Sequence, residues 1–141
     1  MKKILIIGQA PPLKEQKLPY DTTLLYEMLA WVGISKEQAQ ELFDFEAVSN
    51  EFPGLNKSGG HKPPSKKAVQ QHWANTLKAK FVNADKVIVL GAVAKKEVFS
   101  RTTPLYRLPE HICLDHPSRR NYARIMANKD QIIKQLSQIL K

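Results

Sequence analysis

The sequence predicts an α/β protein of three layers, α/β/α, in which helices cover both faces of a four-stranded parallel sheet. Two observations lead to this prediction: short β-branched runs alternate with segments of helical period, and loops rich in Gly and Pro follow the runs. Strands that alternate with helices pair in parallel through crossover connections. A length of 141 residues suits one domain, so we expect a single domain over residues 1–141.

The amino-terminal part of the chain predicts a strand followed by a helix. Residues 3–7 are an apolar run that stops at Gly8 and two prolines, which is typical of a buried strand entering a loop. The run is too short for the apolar region of a signal peptide. Asp21 or Thr22 can cap the helix. Gly33 provides its stop, and its apolar residues recur at helical spacing: Leu24, Leu25, Met28, Leu29 and Val32.

A second helix and a second strand come next. Ser35 and Gln38 have the spacing of a capping box, which predicts a short polar helix that ends near Leu42. Residues 45–49 then predict a strand. Residues 53–65 are rich in Gly and Pro and have no periodicity, so we expect a long exposed loop there.

The rest of the chain predicts three helices and two strands. Ser65 can cap a helix that ends at Asp85 and has an apolar residue at every fourth position: Val69, Trp73, Leu77 and Phe81. Residues 86–90 are the clearest buried strand, and Gly91 opens a helix over residues 92–99. A fourth strand is expected over residues 111–114 and a final helix over residues 121–140.

Composition limits the class of protein. No window has the roughly 20 apolar residues that a membrane span needs. Cys113 is the only cysteine, which excludes an intrachain disulfide and any iron–sulfur cluster or zinc site built from several thiolates of this chain. A reducing cytoplasm fits this cysteine content, so we expect a cytoplasmic protein without metal or other cofactor.

The net charge of +9 is unevenly distributed. Residues 1–56 carry 5 Lys and Arg against 8 Asp and Glu, whereas residues 57–141 carry 17 against 5. A segregated basic excess is what a polyanion-binding face requires, because its cations release the counterions of phosphates. A solvated basic surface without a partner would have the same composition.

Three loops leave the carboxyl ends of the predicted strands, and each contains residues that could serve a site. They are Gly8 to Pro12 after the first strand, Asn50 after the second, and His116, Pro117 and Ser118 after the fourth. In this order they resemble the uracil-DNA glycosylase superfamily, whose first motif is Gly-Gln/Glu-x-Pro and whose last is His-Pro-Ser. The resemblance covers nearly the whole chain, and such sheets bind ligands beyond the strand carboxyl ends.

The chain is most similar to the bacterial and archaeal type with a Gly-Glu-Ala-Pro first motif. Here Leu18, Pro19 and Tyr20 stand for that type's Pro-Phe segment. Residues 86–94 resemble its Lys-Val-Ile-x-x-Leu-Gly-x-x-Ala strand, with one residue instead of two between Ile88 and Leu90. The four cysteines typical of that type are absent, so this chain is a minimal version.

The resemblance implies roles for several side chains. His116 would donate a hydrogen bond to uracil O2 as charge develops there, and Asn50 would read the uracil edge. Main-chain N–H groups around Gly8, Gln9 and Ala10 would contact the base or the attacking water. Tyr20 would stack on the flipped base, although it could equally pack on the next helix. The residues expected to hold DNA phosphates are Ser118, Arg119, Arg120 and, in the basic loop, Lys62.

One departure from the family pattern concerns water activation. Its efficient members carry a carboxylate in the first motif, where this chain has Gln9 and Ala10. Asp21 is the candidate replacement, with helix capping as its alternative role. The loop around Lys62 could track DNA or remain solvated.

Three functions fit these observations. A DNA glycosylase would flip out uracil or another deaminated base and hydrolyse its N-glycosidic bond without a cofactor. A binding module would keep the pocket and recognise a nucleobase or single-stranded DNA without catalysis. A small-molecule-binding protein would leave the basic carboxyl-terminal part unexplained. For the first two we expect DNA as the partner and a monomeric protein.

Overall fold

A computed structural model describes residues 3–9, 23–49, 65–102 and 108–141. Four strands form one parallel sheet in the order β2-β1-β3-β4: β1 Ile4–Gly8, β2 Phe43–Ala47, β3 Lys86–Leu90 and β4 Glu110–Leu114. The helices are α1 Thr23–Ala30, α2 Lys36–Leu42, α3 Lys66–His72, α4 Lys78–Asn83, α5 Ala92–Thr102, α6 Tyr122–Ala127 and α7 Lys129–Ile139. No helix in these ranges is long and apolar enough to cross a membrane.

The two faces of the sheet support two separate apolar cores. Side chains alternate across a strand, so Ile6 and Ile88 face α1, α2, α6 and α7, whereas Leu5 and Val87 face α3, α4 and α5. The predicted three-layer α/β/α architecture is therefore confirmed. The central strands β1 and β3 are apolar apart from Lys86 at the start of β3, because both of their faces are covered.

Local sequence signals predicted several element ends correctly. The capping box is present: Ser35 Oγ accepts from Gln38 N–H at 3.1 Å, and Gln38 Oε1 accepts from Ser35 N–H at 2.8 Å. Ser65 caps α3 through Ala68 N–H. Gly33 adopts a φ of +82° just beyond α1, which confirms it as the stop. The predicted cap at Asp21 or Thr22 lies outside the described residues.

The prediction for the second strand was wrong by two residues. β2 covers Phe43–Ala47 and not residues 45–49, because α2 passes directly into the strand at Phe43. Phe43 is buried and pairs with Ile4, while Ala47 pairs with Gly8 at the other end. The register with β1 and the burial of Phe43 outweighed the local sequence signal.

The helix predicted from Ser65 to Asp85 contains a wide turn. Four residues of an α-helix advance 400°, so apolar residues at every fourth position drift about 40° per step around the helix. The chain forms a π turn over Trp73–Leu77, in which Lys78 N–H donates to the Trp73 carbonyl. This turn slows the rotation, and all four apolar residues stay buried on one face: Val69, Trp73, Leu77 and Phe81.

The final helix also differs from its prediction. The single helix expected over residues 121–140 is divided into a 3-10 turn at Arg119–Asn121, then α6 and α7. The division lies at Asn128, which has a φ of −104° and a ψ of 15°. Its N–H and its side-chain amide both donate to the Arg124 carbonyl, at 3.1 and 2.9 Å, so a local side-chain bond is added where the two helices meet.

Candidate active site

The sheet topology has a switch point at the carboxyl ends of β1 and β3. These strands are neighbours, yet the helix after β1 packs on one face of the sheet and the helix after β3 packs on the other. The two connections therefore diverge. In parallel sheets, ligands bind where connections separate in this way.

The loop after β1 begins at a closely packed position. Gly8 is buried, and its carbonyl accepts a hydrogen bond from Val48 N–H at 3.0 Å. Gln9, the residue after β1, is half-buried. Ser49, two residues after β2, is fully buried. The connections after β1 and β2 therefore start side by side at this edge.

The loop after β4 brings His116 to the same edge. β4 ends at Leu114, and the imidazole of His116 is half-buried with its Nδ1 atom covered. Pro117 is buried, and its ring restricts the backbone just after His116. Ser118 is half-buried and Arg120 is exposed.

Gly91, the residue after β3, packs against His116. Its N–H donates to the Leu114 carbonyl at 2.8 Å, and its φ is +90°, a conformation that side chains with a Cβ rarely adopt. A Cβ atom built on Gly91 would lie 3.0 Å from the Cβ of His116. The backbone of β3 can approach His116 this closely only because residue 91 is glycine.

A chain of hydrogen bonds also holds the backbone of His116. The Asn121 side-chain amide donates to the His116 carbonyl at 2.8 Å, and its oxygen accepts from Arg124 at 3.0 Å. Arg124 also pairs with Asp115 at 3.0 Å. Gly91 and Asn121 were predicted only as helix starts, and not as neighbours of His116. The available signal was their position at the ends of the loops.

The predicted site residues divide into two groups. The structure brings Gly8 and Gln9 to the same edge of the sheet as His116 and Ser118. The strands β1 and β4 that lead to these two pairs are two strand spacings, or about 10 Å, apart. The others lie outside the described residues: Ala10, Tyr20, Asp21, Asn50 and Lys62. The backbone of Arg119 lies in the 3-10 turn after Ser118.

Carboxylates on β2 and beside His116 are engaged in ion pairs. Glu46 accepts from His72 at 3.1 Å and from Lys80 at 2.6 Å, and Lys80 also reaches Asp44. Burial lowers the pKa of Lys80, but hydrogen bonds to Glu46 and Asp44 raise it above its ordinary value. Together with the Arg124 pair of Asp115, these contacts leave each of the three carboxylates with a cationic partner.

A separate groove of about 580 Å³ lies between α5 and the outer strand β4, and Cys113 and Lys95 are among its lining residues. Burial raises the pKa of the Cys113 thiol, and the nearby charge of Lys95 only partly opposes this. The thiolate fraction at neutral pH is therefore reduced.

We expect iodoacetamide to alkylate the Cys113 thiol several-fold more slowly than it alkylates the thiol of glutathione. If Cys113 in the native protein reacted as fast as glutathione, the raised pKa of its thiol would be contradicted. Unfolding the protein with denaturant should raise the alkylation rate of Cys113.

Comparison with known proteins agrees with this fold. The sequence matches the profile of the Uracil DNA glycosylase superfamily over residues 1–140. A comparison with curated proteins finds no match. Among solved structures, the fold is similar to that of wild-type SMUG2 from Pedobacter heparinus, with a TM-score of 0.64 and 18% identity over 95% of this chain and 72% of that chain. Because the profile match extends over nearly every residue, the chain belongs to the uracil DNA glycosylase superfamily.

Proposed function

We propose that this protein is a DNA glycosylase that flips uracil or a related deaminated base out of DNA and hydrolyses its N-glycosidic bond. The observation that carries the proposal is the fixed position of His116 at the carboxyl edge of the sheet, in a chain of this superfamily. Gly91 packs beneath this residue, and Asn121 holds its carbonyl. An imidazole held in this way is a preorganised hydrogen-bond donor.

The chemistry of base excision calls for such a donor. Cleavage of an N-glycosidic bond develops positive charge on the sugar and negative charge on the departing base. His116 would donate a hydrogen bond to uracil O2 and stabilise the base as an anion. A donor that is already in place undergoes no reorganisation when the charge develops.

We assign base recognition to the loops after β1 and β2. Asn50 would accept from uracil N3–H and donate to O4, a pattern that cytosine reverses. Tyr20 would stack on the flipped base. Main-chain N–H groups at Gly8, Gln9 and Ala10 would contact the base or the attacking water.

We assign DNA binding to the basic side of this edge. Ser118, Arg119 and Arg120 would hold phosphates next to His116, and Lys62 would extend the contact. The exposed position of Arg120 and the basic excess of residues 57–141 support this assignment. Phosphate contacts of this kind help to offset the few kcal/mol that base flipping costs.

Water activation separates two candidate functions. Gln9 cannot act as a base, and we propose Asp21 as the carboxylate that replaces the missing one. If no group activates water, the same fold and pocket would serve a nucleobase-binding or nucleic-acid-binding module without catalysis. The Gln9–Ala10 pair at the first motif is the observation that favours this second function.

The deciding experiment incubates the purified protein with oligonucleotides that carry one uracil, hypoxanthine or xanthine, both single-stranded and double-stranded. Alkali then cleaves the abasic product, which a gel detects. The control is the same oligonucleotide with thymine in place of the modified base. DNA binding is measured in parallel over a range of salt concentrations, because phosphate contacts weaken as salt rises.

Each outcome points to one function. Alkali-dependent cleavage at the modified base establishes glycosylase activity and identifies the preferred base. Salt-sensitive binding without cleavage favours the non-catalytic module. Absence of both binding and cleavage overturns the proposal that DNA is the partner.

A further inference from the structure

Asn121 stands at the start of α6 but does not cap this helix. Asparagine is a favoured N-cap residue because its side-chain oxygen accepts a hydrogen bond from an N–H group of the first turn. Here the Asn121 side chain makes no such bond. Its amide donates instead to the His116 carbonyl at 2.8 Å. The side chain thus serves the loop before the helix and not the helix.

Both polar atoms of this amide are used, which fixes its orientation. The oxygen accepts from Arg124 at 3.0 Å, so the nitrogen faces His116. Arg124 in turn pairs with Asp115, the residue before His116. The Asn121 N–H donates to the Ser118 carbonyl at 3.0 Å. These bonds connect Asn121 and α6 to the residues on both sides of His116.

We propose that Asn121 is a positioning residue for the His116 imidazole, an inference that rests on the proposed glycosylase function. Gly91 packs against the Cβ atom of His116, and the Asn121 amide holds the His116 backbone carbonyl. Arg124 holds the amide in its donating orientation. A displacement of about 1 Å in a catalytic group can reduce a rate by as much as 100-fold.

The test compares Asn121→Ala with Asn83→Ala. Asn83 lies at the end of α4 and makes the same type of bond, from its side-chain amide to the Ala79 carbonyl at 2.9 Å, far from the carboxyl edge. We expect Asn121→Ala to slow single-turnover excision about tenfold with DNA affinity unchanged, and Asn83→Ala to leave both unchanged. In a His116→Ala background, Asn121→Ala should cause no further loss. An additive loss there would overturn the inference.

A second measurement does not depend on activity. The imidazole resonances of His116 are identified by their absence in His116→Ala, and we expect them to shift or broaden in Asn121→Ala but not in Asn83→Ala. Arg124→Gln should produce a smaller change in the same direction, and the exposed Arg124 side chain makes this variant safe for folding. Unchanged His116 resonances in both variants would overturn the inference. If the wild-type protein excises no base, the glycosylase proposal fails, and these resonances alone decide the role of Asn121.

Discussion

Replacement of His116 with alanine is expected to slow uracil excision in single turnover by about 100- to 1000-fold, the loss typical when a donor to developing negative charge is removed. The affinity for undamaged DNA should change little, because the phosphate contacts assigned to Ser118, Arg119 and Arg120 remain. The measurement is the rate of abasic-site formation with enzyme in excess over a uracil oligonucleotide.

His111→Ala is the matched control for this variant. His111 lies on β4, the strand that precedes the His116 loop, and its Nδ1 atom is hydrogen-bonded to the Pro109 carbonyl at 2.9 Å. It is near the amino end of β4, away from the site. The excision rate of His111→Ala should match that of the wild type. Equal losses in the two variants would show that removing a histidine from this region damages the fold and not the chemistry.

Replacement of Gly91 with alanine is the second large expected effect. The alanine Cβ would lie 3.0 Å from the Cβ of His116, a tighter contact than ordinary packing, so His116 must move by a few tenths of an ångström. We expect the excision rate to fall by up to about 100-fold through displacement of His116. The positive φ should also reduce the free energy of unfolding by about 1–3 kcal/mol. Single-turnover kinetics and urea denaturation measure the two effects.

Gly33→Ala separates backbone strain from contact with the site. Gly33 has a φ of +82°, close to that of Gly91, but a Cβ atom there would meet nothing within 4 Å. This variant should show a similar loss of stability with a normal excision rate. A normal rate in Gly91→Ala as well would exclude the proposed role of Gly91 beneath His116.

The sequence was informative wherever the cause of structure is local. The capping box at Ser35, the stop at Gly33 and the buried strand Lys86–Leu90 were all predicted correctly. Such features depend on residues a few positions apart, so a short window contains the relevant physics. The errors occurred where distant partners intervened. The register of β2, for example, was set by pairing with β1. The division at Asn128 is the exception, because its side-chain bond to Arg124 is local.

Contacts between distant parts of the chain could not be predicted in this way. The cluster of Glu46, His72 and Lys80 joins residues that are 26 and 34 positions apart. Only the packing of α3 and α4 on the sheet beside β2 brings them together. The π turn at Trp73–Leu77 was not predicted either, because an apolar residue at every fourth position was interpreted as one continuous helix.

By itself, the sequence determined the three-layer fold and the loops expected to carry the site, because periodicity and loop composition mark the carboxyl end of each strand. Only the tertiary structure decided what holds His116 in place. The strand order β2-β1-β3-β4 brings Gly91 beneath it, and the 3-10 turn at Arg119–Asn121 returns Asn121 to its carbonyl. Strand order and loop return depend on non-local pairing and packing, which no local pattern in the sequence records.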